Sequence, residues 1–114
     1  MPLGIFPIAG TTIDTASNPD DTAIHAAPGK RQRTYIKSGR INVTTAASTQ
    51  YIIEDGVGGS VLFVADGSAV GSHPITVDAP DGVPLTENTV LNITNVGATG
   101  GVATFSGIIE VRGG

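Results

Sequence analysis

From residue 33 onward, apolar and polar side chains alternate at a period of two, in short runs separated by turn-forming pairs. Ile41 and Val43 stand between polar neighbours, and Leu91 and Ile93 face away from Val90, Asn92 and Thr94. A period of two sends successive side chains to opposite faces of a strand and leaves one face for a core. The runs predict strands over 33–37, 39–44, 49–54, 60–65, 75–78, 89–94, 101–106 and 108–112, the first two joined at Ser38-Gly39. Val61-Leu62-Phe63-Val64 is continuous, which predicts a central strand buried on both faces. No segment sustains apolar residues at helical spacing.

Asp55-Gly56, Asp66-Gly67 and Asp81-Gly82 punctuate these runs. Asp and Gly tolerate the positive φ of tight hairpin turns, so each pair marks a turn between strands. The expected fold is all-β: a small antiparallel sandwich or barrel of about eight short strands, with an extended N-terminal arm. A jelly-roll-like sandwich, a small barrel and a sheet completed by neighbouring subunits all fit the pattern.

Residues 1–29 read differently from the β-domain expected over 30–114. Pro2, Pro7, Pro19 and Pro28, with Gly4, Gly10 and Gly29, exclude a long helix there. Asn18-Pro19-Asp20-Asp21 has the chemistry of a turn. Leu3, Ile5, Phe6 and Ile8 are apolar, so the segment is expected to lie against another subunit or protein. Disorder, common at chain ends, is the plain alternative.

Composition narrows the function more by exclusion than by indication. The 114 residues suit one domain. Charged residues make up 14% and aromatics 4%, with no Trp, so a core must be built from Val, Ile, Leu and three Phe. Such a thin core favours support from neighbouring subunits. The absence of Cys excludes disulfides and thiolate metal sites. No apolar run reaches the length of a membrane span, and the N-terminus lacks the basic start of a secretion signal, so a soluble, leaderless protein is expected.

The net charge is −4, yet five of the six cations, Lys30, Arg31, Arg33, Lys37 and Arg40, fall in one stretch. Arg112 is the other. Acidic residues dominate elsewhere, which predicts a basic strip meeting an acidic partner surface. A strand edge guarded by Lys and Arg is the plain alternative.

Catalytic signals are weak. His25 and His73 are the only side chains that titrate near neutral pH without a large shift, and both are expected in surface loops. Ser72, His73 and Asp78 make a triad on paper, but no nucleophile-elbow pattern surrounds a serine. Asp55, Asp66, Asp78 and Asp81 are oxygen donors whose spacing does not match a calcium loop. Gly56–Gly59 and 97–101 lack the lysine and helix of a phosphate cradle. The basic strip holds one aromatic, Tyr35, which argues against nucleic acid. Asn42-Val43-Thr44 and Asn92-Ile93-Thr94 read as polar strand faces. No enzyme activity, cofactor or metal is expected.

The stretch from Phe63 to Val77, with Asp66-Gly67-Ser68 opening a small-residue loop and Pro74-Ile75-Thr76-Val77 closing it, resembles a β-module of tailed-bacteriophage virion proteins. The resemblance extends over roughly residues 49–112. A chain that starts at Met1 and ends after one such module is similar to capsid decoration (cement) proteins. That resemblance implies a structural virion protein that stabilises the outside of the capsid, as a homotrimer on the major capsid protein. It is expected to be made in the host cytoplasm and to reside on the virion surface, away from nucleic acid and membranes. Leu3, Ile5, Phe6 and Ile8, with Lys30, Arg31, Arg33, Lys37 and Arg40, would form its partner-binding surface. The alternative is a tail fibre or tail-tip module that binds a host receptor through the loops at 55–59 and 66–73.

Overall fold

The alternating pattern folds into two antiparallel sheets laid face to face. The computed structural model describes residues 3–14, 21–47, 50–78, 80–97 and 100–113. In chain order the strands are β1 (Gly4–Asp14), β2 (Thr22–His25), β3 (Gln32–Thr45), β4 (Gln50–Asp55), β5 (Ser60–Asp66), β6 (Gly71–Ile75), β7 (Val83–Pro84), β8 (Leu91–Val96) and β9 (Val102–Gly113). One sheet runs β1-β9-β3-β6, with β7 also on β3; the other runs β2-β8-β4-β5. Setting aside the two-residue β7, this is the strand order of an eight-stranded jelly roll, two Greek keys folded on each other.

Residues opposite one another in an antiparallel pair share a face. In the first sheet the register therefore gives the inner rows Phe6, Ile109, Ile36, Val83 and Phe105, Ile41, His73. Tyr51, Ile53, Leu91 and Ile93 face them from the second sheet, with Ile24 and Leu85 closing the core. Phe6 stacks on His25 with ring centroids 6.0 Å apart, joining the edges β1 and β2. Pro7, Pro74 and Pro84 all sit on strands at the margins of the first sheet, where a missing N–H is tolerated.

Several local expectations are corrected. The segments 33–37 and 39–44 are one strand, β3, with an irregularity between Ile36 and Ser38. Likewise 101–106 and 108–112 are one strand, β9. The glycines that suggested breaks serve packing: a Cβ on Gly39 would lie 2.8 Å from the Phe105 ring, and one on Gly107 would lie 2.3 Å from the Ser38 carbonyl oxygen. The Val61–Val64 run is not central. It lies on the edge strand β5, where Val61 and Val64 are more than half exposed, and β8 takes the buried central place.

The N-terminal segment is extended, but not as an arm standing off the domain. Through 4–14 it pairs with β9, and through 22–25 it supplies β2, so both sheets depend on it. An apolar, proline-bearing strand covers a sheet edge as well as it would cover a partner. Of the turn expected at 18–21, residues 18–20 lie outside the described residues.

Of the Asp-Gly pairs, Asp55-Gly56 opens the β4–β5 hairpin as expected. Asp66-Gly67 instead leads from one sheet to the other, with Asp66 Oδ1 accepting from the Ser68 N–H at 2.8 Å and the Ser68 hydroxyl at 2.6 Å. Asp81-Gly82 returns the chain to the edge of β3. Gly82 has φ 91°, and a Cβ there would meet the Ile36 carbonyl oxygen at 2.6 Å.

Candidate docking face

Inward-facing rows on β1, β9 and β3 imply outward-facing rows between them, and these gather most of the candidate residues. Ile5, Glu110, Tyr35 and Pro84 form one row. Pro7, Ile108 and Ser38 form the next, then Ser106, Arg40 and Pro74. Arg33 lies opposite Arg112 on the other side of the Tyr35 row. Leu3, Ile5 and Ile108 are 57%, 64% and 41% exposed, so an apolar band runs beside cationic side chains.

The expected partner-binding set is thereby divided. Leu3 and Ile5 point outward; Phe6 and Ile8 pack against the core and are not part of this face. Alternation along β1 makes the division unavoidable once either residue is buried. Arg33 and Arg40 are exposed on β3, and Lys30 and Arg31 are exposed in the turn before it. Lys37 is half-buried. Its Nζ is 3.6 Å from Glu110 Oε1 and donates to the Asp81 carbonyl at 3.3 Å.

Sequence reading missed the centre of this face. The Arg112 guanidinium lies 4.4 Å over the Tyr35 ring, donates to Glu110 Oε1 at 2.7 Å and stands 3.6 Å from Asp81 Oδ1. The hydrogen bond from Arg112 holds the Glu110 carboxyl below the usual range, with Lys37 adding to the effect. The same bond raises Arg112. The only local signal was the alternation Glu110, Val111, Arg112, which puts both charges on one side of β9. Their pairing with Tyr35, Lys37 and Asp81 follows from register across distant strands.

The other candidate chemistry disperses. Ser72 and His73 are neighbours on β6 and face opposite ways, Ser72 outward and His73 into the sandwich, so they do not form a nucleophile–base pair. Neither histidine is in a loop. His25 is on β2, its pKa lowered by burial, and His73 is on β6 with a buried Nε2 that meets no hydrogen-bond partner among the described residues. Asp55 is engaged by Thr86, whose hydroxyl donates to Oδ2 at 2.6 Å and whose N–H lies 3.0 Å from Oδ1. Hydrogen bonds from the Ser68 hydroxyl and N–H lower the Asp66 carboxyl. Among the described residues no three His, Asp or Glu side chains gather as metal ligands, and no helix is long and apolar enough to cross a membrane. Comparison with protein-family models and with curated proteins finds no match to this chain.

Proposed function

We propose that this is a structural virion protein that binds the outside of a phage capsid and stabilises it, in the manner of a decoration protein. The observation that carries the reading is the outward face of β1, β9 and β3. It sets Leu3, Ile5, Pro7 and Ile108 beside Arg33 and Arg40, cations that meet no carboxylate among the described residues. An apolar band rimmed by uncommitted charge is a docking surface: burial supplies affinity and charge supplies orientation and approach rate. The jelly roll is a frequent architecture of virion shells and is shared with lectins and cupins, so it supports the reading by analogy only.

The mechanism is binding energy without a chemical step. Each exposed ion pair contributes about 0–1 kcal/mol. Removing apolar area from water adds roughly 25 cal/mol per Å². Self-association as a trimer would multiply such contacts into avidity, and the exposed edge β5, with Val61 and Val64, is where a neighbouring subunit would pair. The test is copy number in purified virions. Copies over the whole shell support decoration; a few copies at one vertex would replace it with a tail-associated role, and absence from virions would overturn it.

A further inference from the structure

At one end of the docking face, the turn before β3 and the last residues of β9 enclose a cleft of about 180 Å³. Arg31, Arg33, Tyr35, Glu87 and Arg112 line it. Three arginines around one small cleft are unusual in a chain with net charge −4. We infer that this cleft binds a carboxylate, specifically an Asp or Glu side chain presented by an acidic segment of the partner protein.

Two independent features point to an anion. The first is the register of the sheet: Arg33 lies directly opposite Arg112 on β9. Like charges placed directly across a strand pair destabilise it. Arg112 is offset by Glu110 and Asp81, whereas Arg31 and Arg33 form no ion pair among the described residues. A bound carboxylate between them relieves the repulsion and accepts the charge-assisted hydrogen bonds that guanidinium groups make best.

The second feature is the backbone. Gln32 N–H donates to the Gly29 carbonyl at 3.1 Å, closing a turn whose third residue is Arg31, at φ 61°. That position favours Gly or Asn, and an arginine there gains nothing locally. The turn is clasped from the side by Asn88, whose Oδ1 accepts from the Gly29 N–H at 2.9 Å and whose N–H donates to the Gln32 carbonyl at 2.8 Å. An unfavourable residue held by a fixed frame at the mouth of a cleft is a reason to look for function in its side chain.

The surroundings select the class of anion. Glu110 and Asp81 balance Arg112 and Lys37, which leaves Arg31 and Arg33 against Glu87, a surplus of one positive charge. That balance suits a monoanionic carboxylate over a phosphate. Leu3 lies at the rim: a Cβ on Gly113, itself a lining residue, would be 3.6 Å from Leu3 Cδ1. An acidic residue next to an apolar one therefore fits best. The partner's identity rests on the shell-docking reading; the carboxylate chemistry does not.

The test is a titration of the isotope-labelled full chain at low ionic strength, followed by magnetic resonance. The probes are a capped Ala-Glu-Leu-Glu-Ala peptide, its Gln-for-Glu counterpart and inorganic phosphate. The acidic peptide is expected to shift the signals of Gln32, Arg33 and Gly113 and to saturate. Arg33→Gln and Arg31→Asn should each weaken it about threefold to fivefold, the size of an exposed charge pair. Arg31→Asn should also keep or raise the melting temperature, separating lost binding from lost folding. Equal binding of the Gln peptide, phosphate binding as tight as the acidic peptide, or indifference to both arginine substitutions would overturn the site. Peptide binding without shell binding would overturn the docking reading and leave this site standing. Shell binding without peptide binding would do the reverse.

Discussion

On the outer side of β8, Asn92 and Thr94 are buried, and the Asn92 amide donates to Glu54 Oε1 at 3.0 Å and Asp21 Oδ1 at 3.1 Å. On the outer side of β3, Arg33 and Arg40 are exposed and meet no carboxylate among the described residues, and Ile5 and Ile108 lie bare nearby. Both faces carry polar residues at a period of two, yet Asn92 ties β8 to β4 and to Asp21 beside β2, while Arg33 and Arg40 on β3 stay uncommitted. A polar group satisfied inside the fold is expensive to remove; one that waits for a partner is not. Stability and binding should therefore separate by face.

The largest effect is expected at Asn92. Asn92→Leu removes the donor to two carboxylates and leaves Glu54 buried without it, at a cost of about 1.5–3 kcal/mol, the range for hydrogen bonds to charged groups. Denaturant unfolding measures it, and a loss under about 0.5 kcal/mol, the scale of an ordinary surface change, would erase the contrast between faces. Gly39→Ala should follow at about 1–3 kcal/mol, because its Cβ would press within 2.8 Å of the fully buried Phe105 ring.

Acid should loosen the outward side of β9 and β3 gradually. The Glu110 carboxyl is held below its usual value of 4.5 by Arg112 and Lys37. A depressed carboxyl stabilises the fold above its unfolded value, and that contribution is lost as pH falls from about 4.5 through the folded-state value. The acid-side fall in melting temperature should be shallower in Glu110→Gln. An unchanged slope would mean that the pair with Arg112 does not hold in solution. Smallest of all, Arg40→Gln should change stability by less than about 0.5 kcal/mol, since its side chain meets no carboxylate among the described residues.

What was legible in the sequence was local. Period-two runs and Asp-Gly pairs sufficed for an all-β fold and for the β4–β5 hairpin. Ser38-Gly39 looked like a turn because glycine's two uses, bending and making room, leave the same letter; here it makes room for Phe105, 66 positions away. The Val61–Val64 run looked central because edge and centre differ in which strands come to pair, and that order is a property of the whole chain. The candidate face was half legible: Leu3, Ile5, Arg33 and Arg40 stood in the expected set, and the sheet places them on one side. Glu110, Arg112 and Tyr35 were absent from that set, because register alone brings them together.

The most direct test of the account is binding to phage shells that lack the protein, with one outward pair substituted on each sheet. Ile5→Asp with Ile108→Asp places charge on the β1–β9 face; Val61→Asp with Val64→Asp does so on the β5 edge. Monomer stability is expected to stay within about 1 kcal/mol in both, since all four side chains are substantially exposed. The account predicts that the first pair abolishes shell binding at concentrations where the unsubstituted chain saturates. The second pair should weaken only the avidity gained from self-association. Undiminished binding by the Ile5 and Ile108 variant would contradict the assignment of the docking face.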